Sequence, residues 1–389
     1  MSDATPTPGP PSEPPMVVRV DPATLAPAPP RRPRPGVLEA VLWCVLLWIV
    51  QLAGFLVAVL IVLGVHALRA DDPSGFLTTE LGGTTQAVKA PAPGAERKAI
   101  PPAMSQSFAW GFLAAQVAML GFCLLVIPRR VGPDWKRQLA VRRPRGFHVF
   151  MVVLLVPGFM ILSGGLEELV VRWTGAKPLP GTDALRGVFS PWPRWLTVLT
   201  VGIGPGVVEE LWCRGFLGRG LCARYGLVAG VILTSALFGL LHLHPLYALV
   251  TASMGAYLHF AYLASRSLWV PVLLHALNNG LAVLAALSGL VVQLNPEHNQ
   301  LSAVTYLAAF SLLLFASVAL WTGRARVERS EIHDIDWTDE PPSPWEPVYP
   351  GISVPPPDSG HELTASPPSP AAVAFALASF AALVYLLSR

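Results

Sequence analysis

The sequence predicts an all-α fold, a polytopic transmembrane helical bundle of about eight to nine spans with disordered Pro-rich termini, and three observations carry that prediction. Of the 389 residues, 53% are hydrophobic and only 13% charged. The apolar residues fall in long uninterrupted blocks, and a block of about 18 or more can cross the roughly 30 Å hydrocarbon layer as a helix. Barrel strands would alternate with a period of two, and in lipid only helices and closed barrels satisfy their own backbone. A net charge of +3, with basic residues beside the spans rather than in an aromatic-rich patch, excludes a nucleic-acid partner.

Residues 1–36 hold twelve prolines and no helical period, so they are expected to be a disordered tail. Nothing in them resembles a cleavable signal peptide, and the first span, 37–68, would serve as an uncleaved anchor. Further spans are expected near 107–127, 148–165, 205–224, 226–243, 246–264, 267–291 and 302–322, with a terminal hydrophobic segment near 371–388. Residues 166–200, with "SPWPRWL", look too broken for a span and are read as partly interfacial. The Pro-rich linker 323–370 carries nine carboxylates and reads as a solvated arm. The expected organisation is therefore an N-terminal tail (1–36), N-terminal helices and loops (37–194), a core (195–291), one more helix (292–322), the acidic linker (323–370) and the hydrophobic C-terminus (371–389).

Orientation follows from the basic loops. "RRPRP" precedes the first span, and "PRRVGPDWKRQLAVRRPRGF" carries seven basic residues, which places both on the cytoplasmic side with 69–106 opposite. Alternation then puts Arg219, Arg224, Arg266 and "GRARVER" on that same inner side. A multi-pass protein of a bacterial cytoplasmic membrane is expected.

Cys44, Cys123, Cys213 and Cys222 lie in or beside spans at unrelated spacings, so they read as small buried hydrophobes rather than a disulfide framework or zinc knuckle. Charges within the spans carry more information. Between Tyr225 and Pro296 the only Lys, Arg, Asp or Glu is Arg266, and a charged group at the bilayer centre costs about 2.5–3.5 kcal/mol on insertion scales. Glu209, Glu210 and Arg214 in "EELWCRG", His242 in "SALFGLLHLHP", and His275 with Asn279 in "VPVLLHALNNG" therefore stand out.

Residues four apart stack on one helix face, so Glu210 meets Arg214 while Glu209 points about 100° away with no such partner. Phe238 stacks on His242 in the same way, and His275 on Asn279. A neutral His and an Asn one turn apart supply two donors for an oxyanion, and a free carboxylate near a His can serve as general base for water.

"EELWCRG", then "FGLLH", then "HALNN" resemble, in order, the E-E-x-x-x-R, F-x-x-x-H and H-x-x-x-N/D motifs of the CPBP intramembrane proteases, the CAAX-prenyl-endopeptidase, bacteriocin-processing and Abi-like group. The resemblance covers roughly 195–290. It implies an intramembrane endopeptidase in which Glu209 activates water with His242, His275 and Asn279 stabilise the oxyanion, and Glu210, Arg214 and Phe238 shape the site. The implied substrate is a membrane-embedded or membrane-anchored peptide or protein, and the bilayer is the working environment.

Each motif alone is weaker than the set, because "EELVVR" at 167–172 also fits E-E-x-x-x-R. That copy reads as a solvated i,i+4 Glu–Arg pair. Zinc accepts Glu and His, so Glu209, His242, His275 and His244 could hold one, but the dense H-E-x-x-H pattern is absent. A glutamate mechanism with no metal or other cofactor is the expectation. Two other classes fit the same composition: a transporter or channel, suggested by the intramembrane charges and the "GIGPG" break, and a catalytically inactive, immunity-type peptide-binding protein.

Overall fold

The computed structural model describes residues 32–88, 99–175, 186–288, 301–329 and 361–388. All that follows concerns the compact unit Pro33–Arg389. Expectations for 1–31, for 292–300 and for the acidic arm 330–360 lie outside the described residues.

Among the described residues seven helices are long and apolar enough to cross a membrane: α1 (Val37–Leu68), α3 (Pro102–Val131), α5 (Gly146–Thr174), α6 (Arg194–Tyr225), α9 (Trp269–Ser288), α10 (Ala303–Thr322) and α11 (Pro370–Leu387). The chain is an integral, multi-pass membrane protein. Two further helices complete the bundle, α7 (Leu227–Leu240) and α8 (Pro245–Ser265). With 14 residues α7 reaches only about 21 Å, short of the roughly 30 Å layer. Outside the spans lie α2 (Pro73–Val88) and the single turn α4 (Trp135–Gln138).

The hydrogen bonds between connections sort the helix ends onto two faces. On one face, Val37 N donates to the Tyr225 hydroxyl (3.3 Å), Arg219 Nη2 to Gln138 Oε1 (2.8 Å), Arg142 Nε to the Arg266 carbonyl (2.6 Å) and Arg145 Nη2 to the Leu363 carbonyl (3.1 Å). The entry to α1, the α3–α5 connection, the end of α6, the α8–α9 turn and the segment after α10 thus share a face, as alternation of the basic loops requires. On the other, the His66 ring meets Gln106 at 2.7 Å, and the Ser105 hydroxyl donates to the Gly187 and Val188 carbonyls.

The elements depart from the sequence reading in three places. First, α6 begins at Arg194, not near 205, and runs unbroken through "GIGPG". Pro205 lacks the N–H that would bond back to residue 201. Here a π-helical stretch, Val198–Ile203, precedes it and absorbs the misfit, and a second, Leu211–Leu217, follows Glu210. Residues 166–174 and 194–200 are helical as well: α5 continues to Thr174, where Gly175 closes it at φ 66°. Second, the 69–106 loop contains α2, whose start is held by Asp72 Oδ1 accepting from the Ser74 and Gly75 amides. These bonds hold the Asp72 carboxyl below its ordinary pKa. Third, the two ends of the acidic linker pair as antiparallel strands, β1 (Ala325–Arg329) and β2 (His361–Ala365).

Two apolar cores lie side by side. One joins α1, α3, α6 and α7, where the rings of Trp43, Phe122, Trp212 and Phe216 pack within 4.9–6.4 Å of one another. The other joins α5, α8, α9, α10 and α11. Helix α9 feeds both, with Val272 in the first and Val270 and Leu274 in the second. All four cysteines are free and buried.

Candidate active site

Helices α6 and α9 approach closely because small residues face each other. A Cβ added at Gly202 would lie 3.0 Å from the Gly280 Cα, and one at Gly206 would lie 3.1 Å from the Ala276 amide nitrogen. Glu209 and Glu210, one turn beyond Gly206, are thereby brought against His275, one residue before Ala276. The backbone contact sets the reach of the side chains.

Glu210 and Arg214 form the expected i,i+4 pair, with Nη1 2.7 Å from Oε1 and both side chains fully buried. Three other bonds or contacts fix this pair. Arg214 Nη2 donates to the Gly255 carbonyl of α8 (3.0 Å), the guanidinium carbon lies 4.4 Å from the centre of the Phe238 ring, and Glu210 Oε1 also accepts from His275 Nδ1 at 2.9 Å. Arg214 therefore ties α6 to α7 and α8, while Glu210 ties α6 to α9. A charged group stripped of water needs such partners, and here Glu210 Oε2 and Arg214 Nε have none among the described residues.

Glu209 differs from its neighbour. Its side chain is 21% exposed, and its Oε2 accepts no hydrogen bond from protein. That oxygen lies 3.9 Å from His275 Nε2, inside ion-pair range and beyond hydrogen-bond reach. With Nδ1 donating to Glu210, the His275 ring bridges the two carboxylates.

His242 closes the other side. Its Nδ1 sits 3.0 Å from the Phe238 carbonyl, and a carbonyl only accepts, so Nδ1 carries a proton and Nε2 is the nitrogen left for other partners. Phe238 stands edge-on to both histidine rings, with centroids 5.2 Å from His242 and 5.9 Å from His275. Glu209 and His242 line one cavity of about 280 Å³, together with Leu47, Trp48 and Gln51 of α1, Met119 of α3, and Leu241 and Leu243.

The structure thus brings together Glu209, Glu210, Arg214, Phe238, His242 and His275. Asn279 stands one turn beyond His275; its Oδ1 accepts from Asn278 Nδ2 (3.1 Å), which leaves its amide NH₂ to donate. It is not among the side chains lining the cavity. His244 starts α8, its ring 5.6 Å from Tyr247. His259 is buried beside Cys222, with Nε2 3.8 Å from the thiol. The upstream pair Glu168–Arg172 is solvent-accessible and far along α5. Among the described residues no three His, Cys, Asp or Glu side chains form a metal-ligand set.

Comparison with known proteins falls on this same region. Residues 190–281 match the family described as type II CAAX prenyl endopeptidase Rce1-like. The motif-bearing segment is of the CAAX-protease type. The match takes in Glu209 through Asn279 and leaves out the upstream copy at 167–172. Over 152 residues the chain is also 26% identical to a Bacillus subtilis (strain 168) protein described as "Putative membrane peptidase YdiL". That alignment spans 39% of this chain and 57% of the relative, so this chain spans a little over half of the curated protein's length. No solved structure matches the chain. The CAAX-protease-type segment is thus α6 to most of α9, and the cavity residues of α1 and α3 come from outside it.

Proposed function

We propose that the chain is an intramembrane endopeptidase of a bacterial cytoplasmic membrane that hydrolyses peptide bonds of membrane-embedded or membrane-anchored substrates with a glutamate base. The observation that carries this reading is the division of labour between adjacent carboxylates. Glu210 is fully buried and bonded through Oε1 to Arg214 and His275, whereas the Glu209 side chain is 21% exposed and lines a cavity with His242.

In this reading a water molecule in the shared cavity sits between the Glu209 carboxylate and the His242 ring. Glu209 takes one proton as the water oxygen bonds to the substrate carbonyl carbon, and the C=O electron pair moves onto oxygen. The NH₂ of Asn279 and the Nε2–H of an imidazolium at His275, whose Nδ1–H is held by Glu210, stabilise that oxyanion. Collapse of the intermediate re-forms the carbonyl, breaks the C–N bond and passes the proton from Glu209 to the departing amine. Phe238 holds the two histidine rings in place, and Arg214 keeps Glu210 from competing for the proton.

The test is cleavage by the purified full chain in detergent, using synthetic apolar peptides and mass spectrometry of the products. Glu209→Gln retains shape and loses the base, and a general base contributes about 10²–10⁴-fold, so turnover should fall by that order. Glu167→Gln, in the upstream copy, should retain full turnover. Wild-type turnover in Glu209→Gln would remove this reading.

A further inference from the structure

Helix α1 is the most lipid-exposed of the long spans, with 11% of its apolar window buried. Between Glu39 and His66 it has one amide or charged side chain, Gln51. A polar side chain at mid-helix in lipid is unfavourable without a task. Gln51 lies where two spaces meet, the cavity containing Glu209 and His242 and a second space of about 200 Å³ between α1 and α3. Trp48 and Gln51 line both. The second space is otherwise walled by Leu52, Phe55, Phe112 and Ala115, and runs along α1 away from the basic face.

A peptide bond buried in a helix cannot be reached by water, so a membrane substrate must unwind locally before it is cut. Each N–H and C=O freed in that way needs a new partner, because lipid offers none. A carboxamide has both a donor and an acceptor and matches one peptide unit. From Gln51 to Phe55 α1 rises about 6 Å, and an extended chain advances about 3.3 Å per residue. A peptide held at Gln51 therefore places the residue about two positions further on beside Leu52 and Phe55.

Resting on the endopeptidase reading, we propose that Gln51 is a positioning residue that hydrogen-bonds the backbone of an extended substrate beside the scissile bond. The α1–α3 groove then selects a large apolar side chain two residues away. Among the described residues no hydrogen bond to Gln51 is present, so its amide is available for this task.

The experiment uses the full chain in detergent and a set of nine-residue quenched-fluorescent peptides with Leu, Phe, Ser or Asp two positions to either side of the cut. Loss of one backbone hydrogen bond predicts that Gln51→Leu raises KM about tenfold, with a smaller change in kcat. Leu52→Trp, which narrows the groove from its lipid edge, should shift the preference at one of those positions from Leu or Phe to Ser. Leu56→Trp, on the same helix and outside the groove, should not. An unchanged KM in Gln51→Leu, or an unchanged preference in Leu52→Trp, would overturn the proposal while leaving the role of Glu209 standing. A photo-crosslinking residue at Phe112 in the Glu209→Gln background reads binding without cleavage. Crosslinks to the Leu or Phe peptides that weaken with Gln51→Leu support the proposal, and crosslinks to lipid alone refute it, whether or not any peptide is cut.

Discussion

The molecule contains the same six-residue motif twice, in two environments. In "EELVVR" Glu168 and Arg172 pair one turn apart with side chains 37% and 56% exposed; in "EELWCRG" Glu210 and Arg214 pair in the same register with both at 0%. The local rule, a stabilising Glu–Arg pair at i,i+4, holds in both. The surroundings differ. Near the end of α5 the other partner of Glu168 among the described residues is the Tyr306 hydroxyl at 3.4 Å, whereas Glu210 and Arg214 reach His275, the Gly255 carbonyl and the Phe238 ring. A motif therefore states which side chains can pair, and the packing of neighbouring helices decides whether the pair is an ornament of the surface or the hub of a site. The two copies make a controlled comparison, since each substitution in one has a counterpart in the other.

The sharpest contrast comes from removing the cation. Arg214→Ala leaves the Glu210 carboxylate buried with only His275 beside it, and breaking a fully buried pair costs about 3–5 kcal/mol. The expected outcome is a lower yield of monodisperse protein and a reduced melting temperature in detergent, with turnover lost in the fraction that folds. Arg214→Lys should recover little, because one ammonium cannot serve both Glu210 Oε1 and the Gly255 carbonyl as the two guanidinium nitrogens do. Wild-type melting in Arg214→Ala would mean that the buried pair is not holding α6 to its neighbours.

A smaller effect is expected from the backbone contact that creates the difference. Gly206→Val inserts a branched side chain where even a Cβ would lie 3.1 Å from the α9 backbone, and overpacking of this kind costs about 1–3 kcal/mol. Separation of α6 from α9 should move Glu209 and Glu210 away from His275, so activity should fall more than stability does. Gly164→Val is the matched control on α5, because a Cβ there meets nothing within 4 Å. The measurement is turnover per folded molecule alongside melting temperature for both variants.

These contrasts also show how far the sequence could be read. The spacing of charges and histidines was legible, because isolated polar groups in apolar helices are few and helical stacking is local: Glu210–Arg214, Phe238–His242 and a Glu209 with no partner on its own helix all follow from it. Longer-range features were not. "GIGPG" reads as a break under local rules, yet the π-helical turns and the α9 contact carry α6 through it. The β1–β2 pairing joins the two ends of a linker that has no strand pattern of its own. His275 stacks toward Asn279 in sequence, but its Nδ1 is taken by Glu210 from another helix. Gln51 gave no signal as one amide in an apolar run, because its position between two cavities depends on α3 and α6.

The smallest predicted effect closes the comparison from the other side. Arg172→Ala removes the same guanidinium at the same helical spacing as Arg214→Ala, but from a pair that water and headgroups can reach. Exposed i,i+4 pairs are worth about 0.3–0.5 kcal/mol, and the Glu168 carboxylate left behind keeps its hydration and the Tyr306 hydroxyl. The melting temperature in detergent should therefore stay close to that of the wild type, and turnover should not change. Raised salt should narrow even that small difference, because screening acts on exposed pairs and hardly at all on buried ones. A loss in Arg172→Ala comparable to that in Arg214→Ala would show that burial of the pair is not what separates the two copies.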